Sequence, residues 1–266
     1  MLPTRAPLVL LITTLPHAVA LAARRVVVFA AEASVTEVLG RGNLEFEVPP
    51  SAVGNNAPER RRNLLIKALS ENISPSPSVK VLSDATAVHT AGYTHFLGTA
   101  FSRWETELNS DPSYLQPGVD SHLALVPFVC TKSTEPRSLG LAAEFACYMS
   151  DFETPIRVDT ARVLRDDLGT IEAAVEHLVD SSETGAVAYA LTVHPGHHAG
   201  PAYSSGFCYM NNAVFGCARL LTAGMTRVAL LDVDFHGGNG SWDLVVAAMG
   251  ERGASGSTVG DVWFRT

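Results

Sequence analysis

The sequence predicts an α/β protein with an open, mostly parallel sheet and helices on both faces. Short β-branched strands alternate with amphipathic helices along most of the 266 residues, and this alternation is typical of a parallel sheet covered by helices. Hydrophobic residues make up 47% of the chain, which is enough to bury a large core. No internal repeat or interdomain linker interrupts the pattern, so we expect residues 25–266 to form one domain.

The predicted strands are short runs of β-branched and other apolar residues. Residues 25–30 (RVVVFA) form the first strand, and residues 78–82 (SVKVL) form the second, entered from a turn-forming Ser/Pro run at 74–77. Two later strands are predicted at residues 186–192 (AVAYALT) and 227–233 (RVALLDV).

The predicted helices are identified by apolar residues that recur three and four positions apart. The clearest is residues 160–180, where the spacing is carried by Leu164, Leu168, Ile171, Val175 and Leu178. The same spacing predicts helices at residues 93–108 and 210–222, and two more beginning at Pro58 and near Ser241. Residues 109–159 are rich in turn formers and lack periodicity, so we expect a long irregular segment there.

Net charge and cysteine spacing exclude several classes of protein. The formal net charge is −8, and because nucleic-acid binding needs a basic face, no direct nucleic-acid binding is expected. No two cysteines form a CxxC pair, so a thiolate zinc site is unsupported and buried free thiols are expected. The four cysteines are Cys130, Cys147, Cys208 and Cys217.

The first 24 residues differ from the rest of the chain. Arg5 precedes an apolar stretch at residues 7–22, as in a cleaved secretory leader, but Pro16 interrupts that stretch. The stretch is also short for a membrane span. We interpret residues 1–24 as a targeting leader or a disordered extension. We expect no stable membrane span. We also expect a cytoplasmic or nuclear location, unless residues 1–24 direct the chain elsewhere.

Two polar clusters follow directly after two predicted strands, which is where ligands bind in open α/β sheets. The first is HPGHHAG at residues 194–200. Pro195 and Gly196 turn the chain sharply, so His197 and His198 point in different directions and can take different roles. A neutral imidazole is suited to general-base chemistry. Taken alone, the motif is also compatible with a pair of surface or structural histidines.

The second cluster is DVDFHGGNG at residues 232–240. Asp232, Asp234 and His236 alternate, and alternating residues share one face while the chain stays extended. A carboxylate and an imidazole two residues apart can bind one metal ion, and mixed nitrogen and oxygen ligands favour Zn²⁺. The alternative is an Asp-rich turn in which aspartate caps the next helix.

These two clusters and the intervening GFCYMNNA at residues 206–213 resemble the zinc-dependent deacetylase family, which includes histone deacetylases and acetylpolyamine amidohydrolases. Weaker matches are APERRRNLL at residues 57–65 and DFETPI at 151–156, and the resemblance covers roughly residues 25–250. It implies an arginase/deacetylase-like fold and hydrolysis of an N-acetyl amide. The substrate would be an acetylated lysine peptide or an acetylpolyamine, and the oligomeric state stays open.

The resemblance also implies roles for five residues of the two clusters. Asp234 and His236 would be Zn²⁺ ligands, and a water activated by the metal would attack the acetyl carbonyl. His198 would act as general base and then as acid to the leaving amine. His197 would stabilise charge beside it, oriented by Asp232.

Three further roles follow from the same resemblance. Asn239 would be the polar partner of His198, and Gly206 and Phe207 would line the substrate channel. Asp232, Asp234 and the backbone at His236 also resemble a structural K⁺ site.

The chain departs from the family pattern near its end. The family supplies a third zinc ligand, an aspartate, and an oxyanion-binding tyrosine beyond the second cluster, whereas this sequence ends at Thr266 and has no tyrosine after Tyr209. We therefore expect a C-terminally truncated domain, equivalent to the N-terminal two-thirds of the family fold. Asp243 is interpreted as a surface or capping residue, and Asp261, in a Gly/Ser/Thr-rich tail, as a minor candidate ligand.

Three functions remain open from the sequence. The first is a zinc-dependent amidohydrolase. The second is a catalytically weak or inactive deacetylase-like protein that binds an acylated ligand, since two ligands bind zinc weakly. The third is a binuclear metal hydrolase of the arginase type, which the paired histidines and GFCYMNNA disfavour.

Overall fold

The computed structural model describes residues 26–32, 63, 65–80, 82–110, 124–125, 141–151, 154–181, 186–255 and 261–265. These residues contain seven strands: β1 Val26–Ala31, β2 Ile73–Ser76, β3 Ala124–Leu125, β4 Ile156–Arg157, β5 Val187–Ala190, β6 Arg227–Leu231 and β7 Asp261–Arg265. The α-helices whose bounds are described are α1 Ala91–Ser110, α2 Leu141–Tyr148, α3 Thr160–Asp180, α4 Asn212–Thr222 and α5 Asn239–Ser255.

The strands pair mostly in parallel. β1 lies between β2 and β5 in a three-stranded parallel sheet, where Val28 is opposite both Ile73 and Tyr189. β6 and β7 form a second parallel pair, and the two-residue strands β3 and β4 pair antiparallel. The prediction of an α/β fold with a mostly parallel sheet is therefore confirmed, with two separate parallel units in the described part of the chain.

The predicted position of the second strand is wrong. β2 is Ile73–Ser76, within the Ser/Pro run that was expected to turn, and residues 82–87 form a short 3₁₀ helix instead. Pro75 lies opposite Ala30 of β1 although it has no backbone N–H to donate. β2 is at one end of the three-stranded sheet, and a sheet edge is where a strand tolerates proline.

Helix positions follow the apolar spacing closely. α3 coincides with the predicted 160–180, and α1 extends the predicted 93–108 by two residues at each end. α4 begins at Asn212 because the Asn211 side chain caps it, accepting a hydrogen bond from the Val214 N–H at 3.1 Å. The beginning predicted at Pro58 lies outside the described residues.

The segment expected to be irregular contains regular structure. α2 and the strands β3 and β4 all fall within residues 109–159, so that prediction is wrong for the described part of it. α2 is eight residues long and too apolar for its spacing to show an amphipathic face. Its Phe145 is fully buried and stacks on Phe96 of α1, with ring centroids 5.5 Å apart.

α3 packs against β1, β2 and β5, and α4 packs against both α3 and β6. These contacts hold the ends of β5 and β6, where the two polar clusters begin, in the same part of the molecule. Cys208 and Cys217 are buried free thiols as expected, and Cys147 is also buried, while Cys130 and residues 1–24 lie outside the described residues. No helix in the described part of the chain is long and apolar enough to cross a membrane.

Candidate active site

The two polar clusters form two adjoining loops. We name residues 194–200 the histidine loop and residues 232–238 the aspartate loop. The Ser241 N–H, in the first turn of α5, donates a hydrogen bond to the His197 carbonyl at 3.0 Å. Gly240 lies so close to the histidine loop that a Cβ atom added to it would be 2.4 Å from the Ala199 carbonyl oxygen. The structure therefore brings the two clusters together, as their positions after β5 and β6 predicted.

His197 is buried and hydrogen-bonded to a carboxylate. Its Nδ1 lies 2.9 Å from Asp232 Oδ2, and its Nε2 lies 3.8 Å from Asp234 Oδ1. Burial acts to raise the pKa of Asp232, but hydrogen bonds from His197 and from the Asp234 N–H outweigh it and hold that pKa below its usual range. An ionised carboxylate only accepts hydrogen bonds, so His197 carries a proton on Nδ1.

His198 is hydrogen-bonded to an amide instead. Its Nδ1 lies 2.5 Å from Asn239 Oδ1, so the amide oxygen accepts the Nδ1 proton and Nε2 keeps its lone pair. The His197 and His198 rings are in contact, with centroids 4.0 Å apart. Gly206 covers the other side of His198, since an added Cβ there would lie 2.4 Å from Cδ2. Only glycine allows this approach.

The aspartate loop is not an extension of its strand. β6 ends at Leu231, and the alternation of an extended chain, on which the sequence prediction depended, is wrong for Asp234 and His236. Asp232 Oδ1 accepts a hydrogen bond from the Asp234 N–H at 3.0 Å, and Asp234 Oδ1 accepts one from the His236 N–H at 2.8 Å. These are two successive Asx turns, which aspartate favours because its side chain reaches the backbone two residues ahead.

The turns bring the two predicted metal ligands together by a different route. His236 Nδ1 lies 3.0 Å from Asp234 Oδ1, close to the roughly 3.3 Å between two ligand atoms of a tetrahedral zinc site. This pair fits two positions of such a site. Among the described residues, no group of three or more His, Cys, Asp or Glu side chains is arranged to hold a metal ion.

The two aspartates beyond this pair, Asp243 and Asp261, lie in regular structure. The Asp243 carboxylate accepts a hydrogen bond from the Tyr203 hydroxyl at 2.5 Å. Asp261 begins β7 and is opposite Arg227 of β6, so it lies in a strand and not in an irregular tail.

Gly206 and Phe207 form a strained turn beside His198. Their φ angles are 53° and 63°, in the left-handed region that a phenylalanine rarely adopts. The turn is held from the segment before α3, because the Asp151 carboxylate accepts the Gly206 N–H at 2.5 Å and the Thr154 hydroxyl accepts the Phe207 N–H at 3.0 Å. The Phe207 side chain is half exposed, and its role as a channel wall stays a prediction.

A buried histidine that no sequence pattern indicated supports the histidine loop. His89 lies before α1; its Nδ1 is 2.8 Å from the Gly200 carbonyl, and its Nε2 accepts the Asn211 N–H at 2.9 Å. Burial lowers the pKa of His89 to about 4, so it is neutral and bridges the two segments. Nothing local in the sequence marks His89, because both partners are more than a hundred residues away.

A second missed residue is Asp167 of α3. Its carboxylate accepts the Val193 N–H at 2.8 Å and lies 2.9 Å from His194 Nδ1. The sequence does contain a signal for Asp167, because this charged residue lies next to Leu168 on the apolar face of the clearest predicted helix. A carboxylate on a buried face needs partners, and here it holds the beginning of the histidine loop.

A parallel sheet with two hydrogen-bonded histidines beyond its strand ends defines a deacetylase-like α/β protein of the arginase/deacetylase fold. The chain belongs to the histone deacetylase domain family, whose model matches residues 57–248.

Similar proteins agree with this assignment. The chain is 31% identical to acetylpolyamine amidohydrolase 1 of Pseudomonas aeruginosa over 70% of its own length and 51% of the relative's. It is 42% identical to histone deacetylase 8 of Arabidopsis thaliana over 27% of its own length and 19% of that protein's. The chain spans about half the length of the acetylpolyamine amidohydrolases it matches.

Solved structures show the same fold. The crystal structure of acetylpolyamine aminohydrolase from Burkholderia pseudomallei matches with a TM-score of 0.58 and 27% identity, covering 70% of this chain and 51% of the other. The HDA15 HD domain matches with a TM-score of 0.51 at 19% identity, covering 82% of this chain and 50% of the other, and supports the fold alone.

Proposed function

We propose that this protein hydrolyses N-acetyl amides, with Asp234 and His236 holding Zn²⁺ and His198 moving the proton. The observation that carries the proposal is the pair of adjoining histidines, each with an acceptor on Nδ1: Asp232 at 2.9 Å for His197 and Asn239 at 2.5 Å for His198. Fixing the proton on Nδ1 leaves Nε2 available, which is what a general base needs.

The two histidines have different partners, which supports different roles. Asp232 is a charged partner 2.9 Å from His197, so His197 is suited to stabilising negative charge on the substrate. Asn239 is a neutral partner, so His198 Nε2 is suited to accepting a proton from the attacking water. The same atom would then return the proton to the amine as the amide bond breaks.

The metal would complete this arrangement. A bound zinc ion supplies a water of lowered pKa and polarises the acetyl carbonyl. Asp234 and His236 would hold it, supported by the 3.0 Å separation of their ligand atoms. Asp232, Asp234 and the His236 backbone are also proposed as a site for structural K⁺, since carboxylate and carbonyl oxygens suit such an ion.

The proposed substrate is an acetylated amine, with acetylpolyamines favoured over acetyl-lysine peptides. The names of several relatives support this choice, and a net charge of −8 attracts a cationic polyamine. Gly206 and Phe207 are proposed to line the channel that the acyl chain enters, next to His198.

The test is acetate release by the purified 266-residue chain, measured with added Zn²⁺ on an N-acetylated diamine and on an acetyl-lysine peptide. We expect slow, zinc-dependent release that falls by about 10² or more in His198→Ala. His95→Ala, on the exposed face of α1, is the matched control and should leave release unchanged. Turnover that is unchanged in His198→Ala, or that does not depend on added zinc, would refute the proposal.

One observation favours a second candidate, a deacetylase-like protein that binds an acylated amine without turnover. Among the described residues, no group of three or more His, Cys, Asp or Glu side chains surrounds the proposed ligands Asp234 and His236, and catalytic zinc normally has three protein ligands. This candidate is supported if calorimetry detects binding of the N-acetylated diamine while no acetate is released at any zinc concentration.

A further inference from the structure

A row of hydrogen bonds extends outward from His198. Its Nδ1 lies 2.5 Å from Asn239 Oδ1, and the Asn239 Nδ2 donates to the Tyr203 hydroxyl oxygen at 3.3 Å. The Tyr203 hydroxyl in turn donates to Asp243 Oδ2 at 2.5 Å. Asn239 and Asp243 are four residues apart in α5 and therefore lie on the same face of that helix.

The direction of each bond follows from the last residue in the row. An ionised carboxylate only accepts, so Tyr203 must donate its proton to Asp243. Burial raises the pKa of Tyr203, and the hydrogen bond to Asp243 raises it further, so the hydroxyl keeps that proton. The Tyr203 oxygen is then an acceptor for Asn239, whose NH₂ group must face the tyrosine.

This direction matters because an asparagine side chain has two nearly isosteric ends. With its NH₂ toward Tyr203, Asn239 presents its oxygen to His198. With the amide reversed, an N–H would point at His198 Nδ1, and the imidazole proton would have to move to Nε2. His198 would then present an N–H to the substrate in place of a lone pair.

We propose that Tyr203 and Asp243 are positioning residues that fix the amide of Asn239 and thereby keep the His198 proton on Nδ1. The base role of His198 rests on the proposed function, whereas the position of its proton can be measured without any substrate.

Tight packing fixes Tyr203 itself. Its ring lies against Gly200 at the end of the histidine loop, where an added Cβ would be 2.2 Å from the ring. The Gly200 N–H also donates to the Tyr203 carbonyl at 3.0 Å. The hydroxyl is therefore held by the same loop that carries His198.

The experiment is nitrogen-15 NMR of the imidazoles in the full 266-residue chain, at an alkaline pH where imidazole is neutral. The Nδ1–H form of His198 should predominate. In Tyr203→Phe the amide loses the acceptor for its NH₂ group, and the ratio of Nε2–H to Nδ1–H should rise about fivefold. Asp243→Asn should shift it in the same direction. Tyr189→Phe, which removes a hydroxyl from β5, is the matched control and should not.

A second background makes the test decisive. Asn239→Asp replaces the amide with a group whose two ends are equivalent, so in that background Tyr203→Phe should leave the tautomer of His198 unchanged. The proposal is overturned if Tyr203→Phe has no effect on the tautomer with Asn239 present, or has the same effect in both backgrounds. Circular dichroism of each variant reports folding, and Asp243→Asn replaces Tyr203→Phe if the latter fails to fold.

The outcomes separate this proposal from the proposed function. If the wild-type chain releases no acetate but its tautomer responds as expected, the positioning role holds and the enzymatic function fails. If acetate is released but the His198 tautomer does not change when Tyr203 or Asp243 is substituted, the positioning role is refuted and the enzymatic function is not.

Discussion

The histidine loop and the aspartate loop both carry proposed site residues beyond the end of a strand, but they are held in different ways. The histidine loop is buried, with His197 only 4% exposed, and it is bonded to distant residues such as Asp167 and His89. Beyond the buried Asp232, the aspartate loop is open to solvent, with Phe235 97% exposed, and its own Asx turns shape it.

The difference separates the two halves of the proposed chemistry. Proton transfer needs imidazoles fixed to a fraction of an ångström, and contacts from several elements provide that order. The metal-binding pair needs only its two ligand atoms to converge, which local turns achieve. Damage to the histidine loop should therefore destabilise the fold, whereas damage to the aspartate loop should act mainly on metal binding.

The largest expected contrast in stability is between Asp167→Ala and Asp234→Ala. The two substitutions are comparable because each carboxylate accepts hydrogen bonds from a backbone N–H and from a histidine ring. Asp167 is buried, so its loss leaves buried donors unpaired and should lower the free energy of unfolding by about 4 kcal/mol. Asp234 is partly exposed, its hydrogen bonds to His236 are local and its contact with His197 is long at 3.8 Å, so its loss should lower the free energy by a smaller amount, about 1 kcal/mol. Urea denaturation of both variants measures the difference, and equal losses would contradict the comparison.

Acid should weaken the histidine loop through His89. Its pKa is about 4 in the folded chain, against an ordinary value of 6.5 for histidine, so between these pH values the unfolded chain binds a proton that the folded chain does not. The free energy of unfolding should therefore fall by up to about 3 kcal/mol as the pH drops from about 6.5 to 4, with no contribution above that window. His89→Ala should flatten this slope while the exposed His95→Ala keeps it, as followed by denaturation at a series of pH values.

Two glycines test the space around the loops. An added Cβ at Gly240 would meet the Ala199 carbonyl, whereas one at Gly237 in the aspartate loop would meet nothing within 4 Å. Gly240→Ala should destabilise the protein by about 2 kcal/mol through overpacking, and Gly237→Ala should be close to neutral. Thermal denaturation of the pair checks this, and a neutral Gly240→Ala would show that α5 can move away from the histidine loop.

The smallest effect is expected at the tip of the aspartate loop. Phe235→Ser should change the free energy of unfolding by less than about 0.5 kcal/mol, because the exposed ring is not part of the core. A loss of stability above about 1 kcal/mol would mean that this ring is covered in solution.

Sequence reasoning succeeded where the signal is local. The apolar spacing of α3 and the β-branched run of β1 predicted both elements, and the two polar clusters follow β5 and β6 as expected. It failed where distant residues decide the outcome. From sequence alone Pro75 indicates a turn, and only its position in the end strand of the sheet shows why a strand accepts it. His89 is not part of any local sequence pattern.

The geometry of the aspartate loop was anticipated only in part. Asp234 and His236 do lie close together, but through hydrogen bonding of the Asp232 and Asp234 carboxylates to the backbone two residues ahead and not through the alternation of a strand. Side-chain preference for such turns competes with strand geometry, and periodicity alone does not show which prevails. The separation of the ligand atoms therefore required the structure.

The Asx turns also bear on the order of folding. Their contacts join residues two positions apart, so closing them costs little chain entropy and we expect them to form early. The bonds from His89 to Gly200 and Asn211 close segments of 111 and 122 residues, and such non-local contacts form slowly. We expect the aspartate loop to reach its shape while the chain is still largely unfolded, and the two histidines to be set only when the sheet and helices have assembled.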